Sequence, residues 1–302
     1  MRDYLILHCD TYGFLPEHRD QLVDLYDKIF ADELAKGEFL RAHDILLEGG
    51  PGRYEVMRPH LDAVDKAVGS HRFTTDLLLF ICGGLALKEK YKKLGIDEGI
   101  WFDTMGDVVC KYRECFDVYG IVGVFTESWP CRFFWPDRFQ LGRMQYETCT
   151  WGHDEEFHGV KRGDPAVTVH IPSTLQPFDR AARMDSYKKA YEFFCDRYRN
   201  LFPDGKMVIC THSWLLFGEH RKFLKGCPNI LSFMDDFEVI VSRYDEDGRD
   251  LWRIFNTMNH NVDEFPTDTA LRRSYVDHLK AGGLPGSGYG AFFIDGPEFF
   301  AI

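Results

Sequence analysis

The sequence predicts an α+β protein: a helical N-terminal domain followed by a mixed β-sheet domain flanked by helices. Three observations predict it. Apolar residues recur at helical spacing through roughly the first 120 positions. Short segments mixing apolar and reactive polar residues, bounded by turn residues, follow them. Among those segments a strand, a helix and a strand occur in the order of a crossover unit, which makes the two strands parallel neighbours.

Residues 18–36 place Leu22, Leu25, Ile29, Phe30 and Leu34 near one helix face. A second helix is expected over 38–48, stopped by Gly49-Gly-Pro-Gly, and a third over 54–68. A fourth runs from Thr75 to Leu94, with Gly95 as its C-terminal stop. Asp103 or Thr104 can cap a fifth that runs toward Tyr119. The texture changes at Gly120-Ile-Val-Gly-Val-Phe and the aromatic cluster Trp129 to Trp135, which sets the expected domains at 1–130 and 131–302. Strands are expected over 139–150, 166–172, 207–216 and 237–244, with Leu251 to Asn256 as a further strand after the Asp245-Glu-Asp-Gly turn. Tyr187, Ala190, Tyr191, Phe194 and Tyr198 mark the crossover helix. The tail reads as a helix from Asp268 to Ala281, a turn or lid through Gly286, Gly288 and Gly290, and a terminal strand Ala291-Phe-Phe-Ile.

The chain of 302 residues is 45% hydrophobic and 15% aromatic, enough for a sizeable core. Its formal net charge of -12 disfavours nucleic acid and anionic membrane as partners, since both select basic patches. The nine cysteines are odd in number and form no CxxC pair, the pattern of reduced thiols in a cytoplasmic protein. The start carries no signal-peptide pattern, and the longest apolar run, Leu77 to Leu87, is too short to span a bilayer.

Chemistry concentrates in the strands at 141–147, 166–172 and 207–216. Side chains two apart share a strand face, which groups Arg143, Gln145 and Glu147, then Thr168 and His170, then Cys210 and His212. His170 in its valine-rich strand is a candidate general base, with a structural core histidine as the alternative. Glu147 is a second candidate base, or half of an Arg143–Glu147 ion pair. Cys210 and His212 stand roughly 6–7 Å apart along one strand, too far for a direct nucleophile–base pair, so a Cys210-dependent hydrolase is the weakest reading. Ser213 can donate to an oxyanion or bind backbone. The loop from Ser173 to Ser186 leads into a helix whose N-terminus can meet phosphate, with Arg180 and Arg183 as mobile cations and Asp185 as an alternative cap. His153-Asp-Glu-Glu-Phe-His158 reads as a solvated hairpin loop, and no metal is expected.

The ordered stretches Tyr91-Lys-Lys-Leu-Gly-Ile, Phe102-Asp-Thr-Met-Gly-Asp, Leu141-Gly-Arg-Met-Gln-Tyr-Glu and Val169-His-Ile-Pro are followed by Ser186-Tyr-Lys-Lys-Ala-Tyr-Glu-Phe-Phe, Cys210-Thr-His-Ser-Trp-Leu-Leu and Pro228-Asn-Ile-Leu-Ser-Phe. Asp268-Thr-Ala-Leu-Arg-Arg and the Gly-rich tail complete the series. Together they resemble a two-domain acyltransferase family with an N-acyltransferase-type N-terminal domain and a GNAT-like C-terminal domain (GNAT being the general N-acetyltransferase superfamily). The resemblance implies acetyl-CoA or a longer acyl-CoA as co-substrate, no metal, and a small-molecule amine or amino-acid-like acceptor. It implies a splayed strand at Ala166–Pro172 whose backbone pairs with pantetheine, and a pyrophosphate-binding helix from Ser186 onward. Thr168, Ile171, Ser173, Arg180, Arg183 and Ser186 are then the expected acyl-CoA contacts; strand position and chemistry, not the resemblance, make His170, Glu147 and Ser213 the expected catalytic set. The loop lacks the Gln/Arg-x-x-Gly-x-Gly/Ala signature of GNAT enzymes, which keeps a second reading open: a GNAT-shaped ligand-binding or scaffold protein without catalysis.

Overall fold

The structure, a computed structural model, describes residues 1–301. It divides into two compact units, one of residues 1–140 with 172–174, the other of 141–171 with 175–301. The first is helical: α1 (Arg2–Thr11), α2 (Pro16–Ala31), α3 (Glu33–Glu48), α4 (Arg53–Val68), α5 (Arg72–Lys93), α6 (Glu98–Tyr119) and the short α7 (Ser128–Cys131). Its core is built on α5, where every residue from Leu77 to Cys82 is buried. Two glycines inside that helix have a packing reason: a Cβ on Gly83 would meet the Phe134 ring at 2.6 Å, and one on Gly84 the Tyr4 hydroxyl at 2.5 Å.

Local polar chemistry corrects two helix limits. The expected helix over 18–36 is two, because the Asp32 carboxylate accepts from the Ala35 amide at 2.9 Å and starts α3 there. The fifth helix starts before Asp103, capped by Asp97, whose carboxylate takes the Gly99 amide at 2.8 Å. Residues 2–11, left without an element by the sequence reading, form α1.

Apart from residues 138–140 of its first strand, the sheet belongs to the second unit. Its strands are β1 (Arg138–Leu141), β2 (Met144–Thr150), β3 (Pro165–His170), β4 (Met207–Ser213), β5 (Glu238–Tyr244) and β6 (Gly286–Ile294), in the order β1-β2-β3-β4-β6-β5. As the crossover argument predicts, β3 and β4 are parallel, joined through α8 (Arg180–Arg197), while β2–β3, β4–β6 and β5–β6 are antiparallel. Helix α8 is held to the β1–β2 turn by Ser186, whose hydroxyl donates to Leu141 O at 2.6 Å and accepts the Met144 amide at 3.1 Å. Short helices α9 (His220–Phe223), α10 (Pro228–Met234) and α11 (Leu251–Phe255), with the longer α12 (Ala270–Lys280), complete the unit.

Two expectations for this unit are overturned. Residues 251–255 are a helix, since Leu251, Ile254 and Phe255 sit at helical spacing and bury together with Leu224, Phe265 and Tyr275. The glycine-rich tail is not a turn or lid but the first half of β6. Its even-numbered glycines make room for the turn at Trp214–Leu216: a Cβ on Gly288 would lie 2.2 Å from Leu216 O, and one on Gly286 would lie 2.3 Å from the Phe217 ring. Among the described residues no helix is long and apolar enough to cross a membrane.

Candidate functional site

The register brings the polar groups of four strands to one face of the sheet. Gln145 stands opposite His170, and Glu147 opposite Thr168. Thr168 stands opposite Cys210, Cys210 opposite Ala291, and His212 opposite Tyr289. Directly opposed residues point to the same face, so the three groups read separately from the sequence, Arg143 excepted, form one surface. The apolar side chains Val167, Val169 and Ile209 point the other way, to the face where Tyr187 of α8 meets the Phe292 ring with centroids 4.8 Å apart.

The sheet opens at this surface. The parallel ladder between β3 and β4 spans only two residue pairs, Val167–Ile209 and Thr168–Cys210, whereas β4 and β6 pair over seven positions. Beyond Thr168 and Cys210 no residue pair joins the two strands among the described residues, while β2 still holds His170 through Gln145. Backbone polar groups of parting strands need partners, and an extended ligand can supply them by adding as a strand.

His170 Nε2 lies 2.9 Å from Glu147 Oε1, with 23% and 9% of the two side chains exposed. The two candidate bases are therefore one hydrogen-bonded pair rather than alternatives. Gln145 is fully buried beside them, and among the described residues neither its amide oxygen nor its nitrogen has a hydrogen-bond partner. Leaving such a group unmade costs about 1–3 kcal/mol.

Next along the face, Cys149 and Cys210 bring their sulfurs to 3.8 Å across Ala166. Their contact, which either thiol can donate, holds Cys210 below the usual thiol range against its burial and raises Cys149; Tyr289 and Thr168 assist at Cys210. None of these partners is an imidazole, and His212 faces Ser287 Oγ at 3.1 Å, so Cys210 has no base beside it. Because β3 lies between the two cysteine strands, their backbones are about 9–10 Å apart, beyond disulfide reach without strand movement. All nine cysteines are unbridged.

The remaining candidates are more dispersed. Thr168 lies on the site face at the last paired position. Ile171 follows the end of β3, where the opening begins. Ser173 donates to Glu114 at 2.6 Å within the helical unit. Ser213 closes β4 on the face opposite His212, and its hydroxyl accepts the Leu215 amide at 3.1 Å, capping the turn that follows. Helix α8 begins at Arg180 rather than Ser186; Asp179, not Asp185, is its cap, accepting the Ala182 amide at 2.9 Å. Ser186 is thus buried inside the helix. Arg183 is not a mobile cation: its side chain is 0% exposed, donates to Asp236 at 2.6 Å and to Ser232 at 2.9 Å, and lies over the Phe178 and Phe233 rings. Arg180 is exposed at the first turn. Arg143 occupies the β1–β2 turn rather than a strand face.

His153 and His158 fold back onto the sheet. His153 packs on the Tyr289 ring, with centroids 4.3 Å apart, and His158 stacks on Phe293 at 5.1 Å. Among the described residues no group of three or more His, Cys, Asp or Glu side chains is gathered to hold a metal ion. Cys149 and Tyr289 are members of this face that sequence reasoning did not single out, and Gln145, grouped there with Glu147, was given no chemical role. The strand register would have found them, but register is a long-range property.

No curated protein matches the chain. Solved structures share its fold. An acyltransferase in complex with decanoyl-CoA and teicoplanin aligns with 20% identity and a TM-score of 0.63, over 96% of this chain and 99% of that one. An acyltransferase in complex with CoA and 10C-teicoplanin aligns with 19% identity and a TM-score of 0.63, over 94% and 98%. A third, an acyltransferase with decanoyl-CoA, aligns with 20% identity and a TM-score of 0.62, over 84% and 76%. Residues 3–135 match the N-acyltransferase N-terminal domain and residues 139–292 the GNAT-like C-terminal domain, and the chain belongs to the family that joins these two domains.

Proposed function

We propose that the protein is an acyl-CoA-dependent N-acyltransferase that transfers an acetyl or longer acyl group to an amine by direct attack on the thioester. The observation that carries this reading is the opening between β3 and β4 with the His170–Glu147 pair on its rim. The parted backbone offers hydrogen-bonding groups to pantetheine, and Arg180 at the start of α8 offers a charge to the pyrophosphate. An acyltransferase of the same fold is in complex with decanoyl-CoA, which supports a medium-length acyl donor here.

The acceptor nitrogen forms a bond to the thioester carbonyl carbon, and the carbon–sulfur bond breaks. The His170–Glu147 pair takes the amine proton, with the imidazolium stabilised by the carboxylate 2.9 Å away. CoA leaves as the thiolate and regains a proton. To Gln145, opposite His170 and with an amide that has no hydrogen-bond partner among the described residues, we assign the donor that meets the carbonyl oxygen as negative charge develops on it. This gives Gln145 the oxyanion contact that Ser213 was expected to assist.

The test is a titration with decanoyl-CoA followed by melting temperature, then release of free thiol on adding octylamine. A ligand at a hundredfold excess over its Kd adds about 2.7 kcal/mol. No shift with acetyl-CoA or decanoyl-CoA would remove the acyltransferase reading. It would favour the binding or scaffold reading, whose supporting observation is that Asp179 already occupies an amide of the α8 N-terminus.

A further inference from the structure

On the other side of the opening the same sheet face holds a cavity of about 260 Å³, lined by His153, His212, Val241, Arg243, Ser287 and Tyr289. Its place follows from the register. Thr168 and Cys210 are level, so His170 and His212, each two residues further on, stand at the same end of parallel strands. Tyr289 lies opposite His212, and Val241 and Arg243 lie opposite Tyr289 and Ser287.

Arg243 is turned to this face by an irregularity. Val239 pairs with Gly290, on the glycine side of β6, but a β-bulge between Val239 and Val241 puts Val241 and Arg243 on the Tyr289 side. Bulges re-aim side chains in this way and are common beside active sites. The guanidinium so aimed makes no ion pair or hydrogen bond among the described residues, and no Asp or Glu lines the cavity. In a chain of net charge -12, an arginine facing a cavity without an acid is a local exception. The other polar groups there are the His212–Ser287 pair, 3.1 Å apart, and the His153 and Tyr289 rings.

We infer that this cavity is a subsite for a carboxylate carried by the acceptor, with Arg243 as its specificity-determining residue. A single planar guanidinium matches one carboxylate in a two-point hydrogen-bonded contact. The inference deepens the acyl-transfer reading and rests on it for calling the ligand an acceptor. It also sets a length. Three strand spacings, on the order of 14 Å, separate the backbones of His170 and Arg243. The amine and the carboxylate therefore belong to a long amino acid or peptide-like molecule, not to the two ends of a simple α-amino acid.

The experiment compares octylamine with aminooctanoate, which carries its amine and carboxylate at opposite ends. Calorimetric binding to the full chain without CoA should favour aminooctanoate at least tenfold. Arg243→Gln, on the exposed edge strand, should erase that preference while leaving octylamine affinity unchanged. Equal affinities in the unsubstituted protein, binding of neither amine, or a preference that survives in Arg243→Gln would each overturn the inference. Decanoyl-CoA binding and thiol release, measured separately, report on acyl transfer itself. Their failure alongside an intact Arg243-dependent preference would remove the reaction and keep the carboxylate site.

Discussion

His170 and His212 occupy equivalent places on adjacent parallel strands, each two residues beyond the last paired position, yet they face different chemistry. The imidazole of His170 meets a carboxylate at 2.9 Å, and that of His212 meets a serine hydroxyl at 3.1 Å. A carboxylate stabilises the imidazolium that forms when a base takes a proton; a hydroxyl does so far less. His220 gives a third environment. It is buried, bonded to the Tyr275 hydroxyl and ringed by Trp214, Phe217 and Phe223, and burial pushes its pKa down to about 4. The comparison teaches that the neighbouring element, not the histidine's own strand, assigns its role.

The largest expected effect tests the His170 side. Glu147→Gln and His170→Ala should each lower acyl transfer by about 10²–10⁴-fold, with the melting-temperature shift from decanoyl-CoA preserved. Single-turnover thiol release measures it. A large loss in only one of the two variants would break the pair into a base and a bystander, and normal turnover in both would remove the base assignment.

A comparable loss, in stability rather than rate, separates the two arginines of α8. Arg183→Met strands the Asp236 carboxylate and should cost about 3–5 kcal/mol in urea unfolding. Arg180→Gln should leave the urea midpoint within about 0.5 kcal/mol and raise KM for decanoyl-CoA several-fold. A stable Arg183→Met protein with weakened CoA binding would return Arg183 to the ligand site.

The sealed histidine predicts a pH effect. His220 is neutral in the folded chain, so the unfolded chain takes up its proton first as pH falls. The contribution is intact above about pH 6.5 and is lost progressively toward pH 4, by roughly 3 kcal/mol at most. Urea midpoints measured across that range should fall less steeply in His220→Phe than in the unsubstituted protein. Parallel slopes would show that the ring protonates without cost.

Smaller effects sharpen the site. Gln145→Met removes a buried amide with no partner. It should leave stability unchanged or raise it by up to about 1 kcal/mol while slowing transfer tenfold or more. A destabilised but fully active variant would make Gln145 structural. The smallest effect belongs to His212→Gln: a few-fold rise in KM for aminooctanoate with kcat within twofold, against the kcat loss expected at His170. Equal kcat losses at both histidines would erase the distinction between them.

Much of the architecture was legible before any coordinates. Helical periodicity, the Gly49-Gly-Pro-Gly break and the strand–helix–strand order are local signals, and they located most helices and the parallel β3–β4 pair. Caps such as Asp32 and Asp97 were harder to read, because several acidic residues nearby satisfy the same rule and tertiary packing selects among them. The tail misled for a related reason. Alternating glycines look like a turn until Leu216 and Phe217 are seen lying where side chains would stand. Of the site, the sequence named His170 and Glu147 separately, each for its chemistry within its own strand. It could not pair them, and it read Arg183 as mobile because Asp236 and Ser232 lie far along the chain.

The sequence by itself determined which residues carry chemistry and which face of each strand they occupy, because strand periodicity is a property of consecutive residues. Only the tertiary structure decided which faces coincide, where the β3–β4 ladder stops, and that a bulge turns Arg243 toward the His212 side. Those outcomes depend on register between strands distant in the chain, and a shift of one residue would send every side chain of a strand to the opposite face.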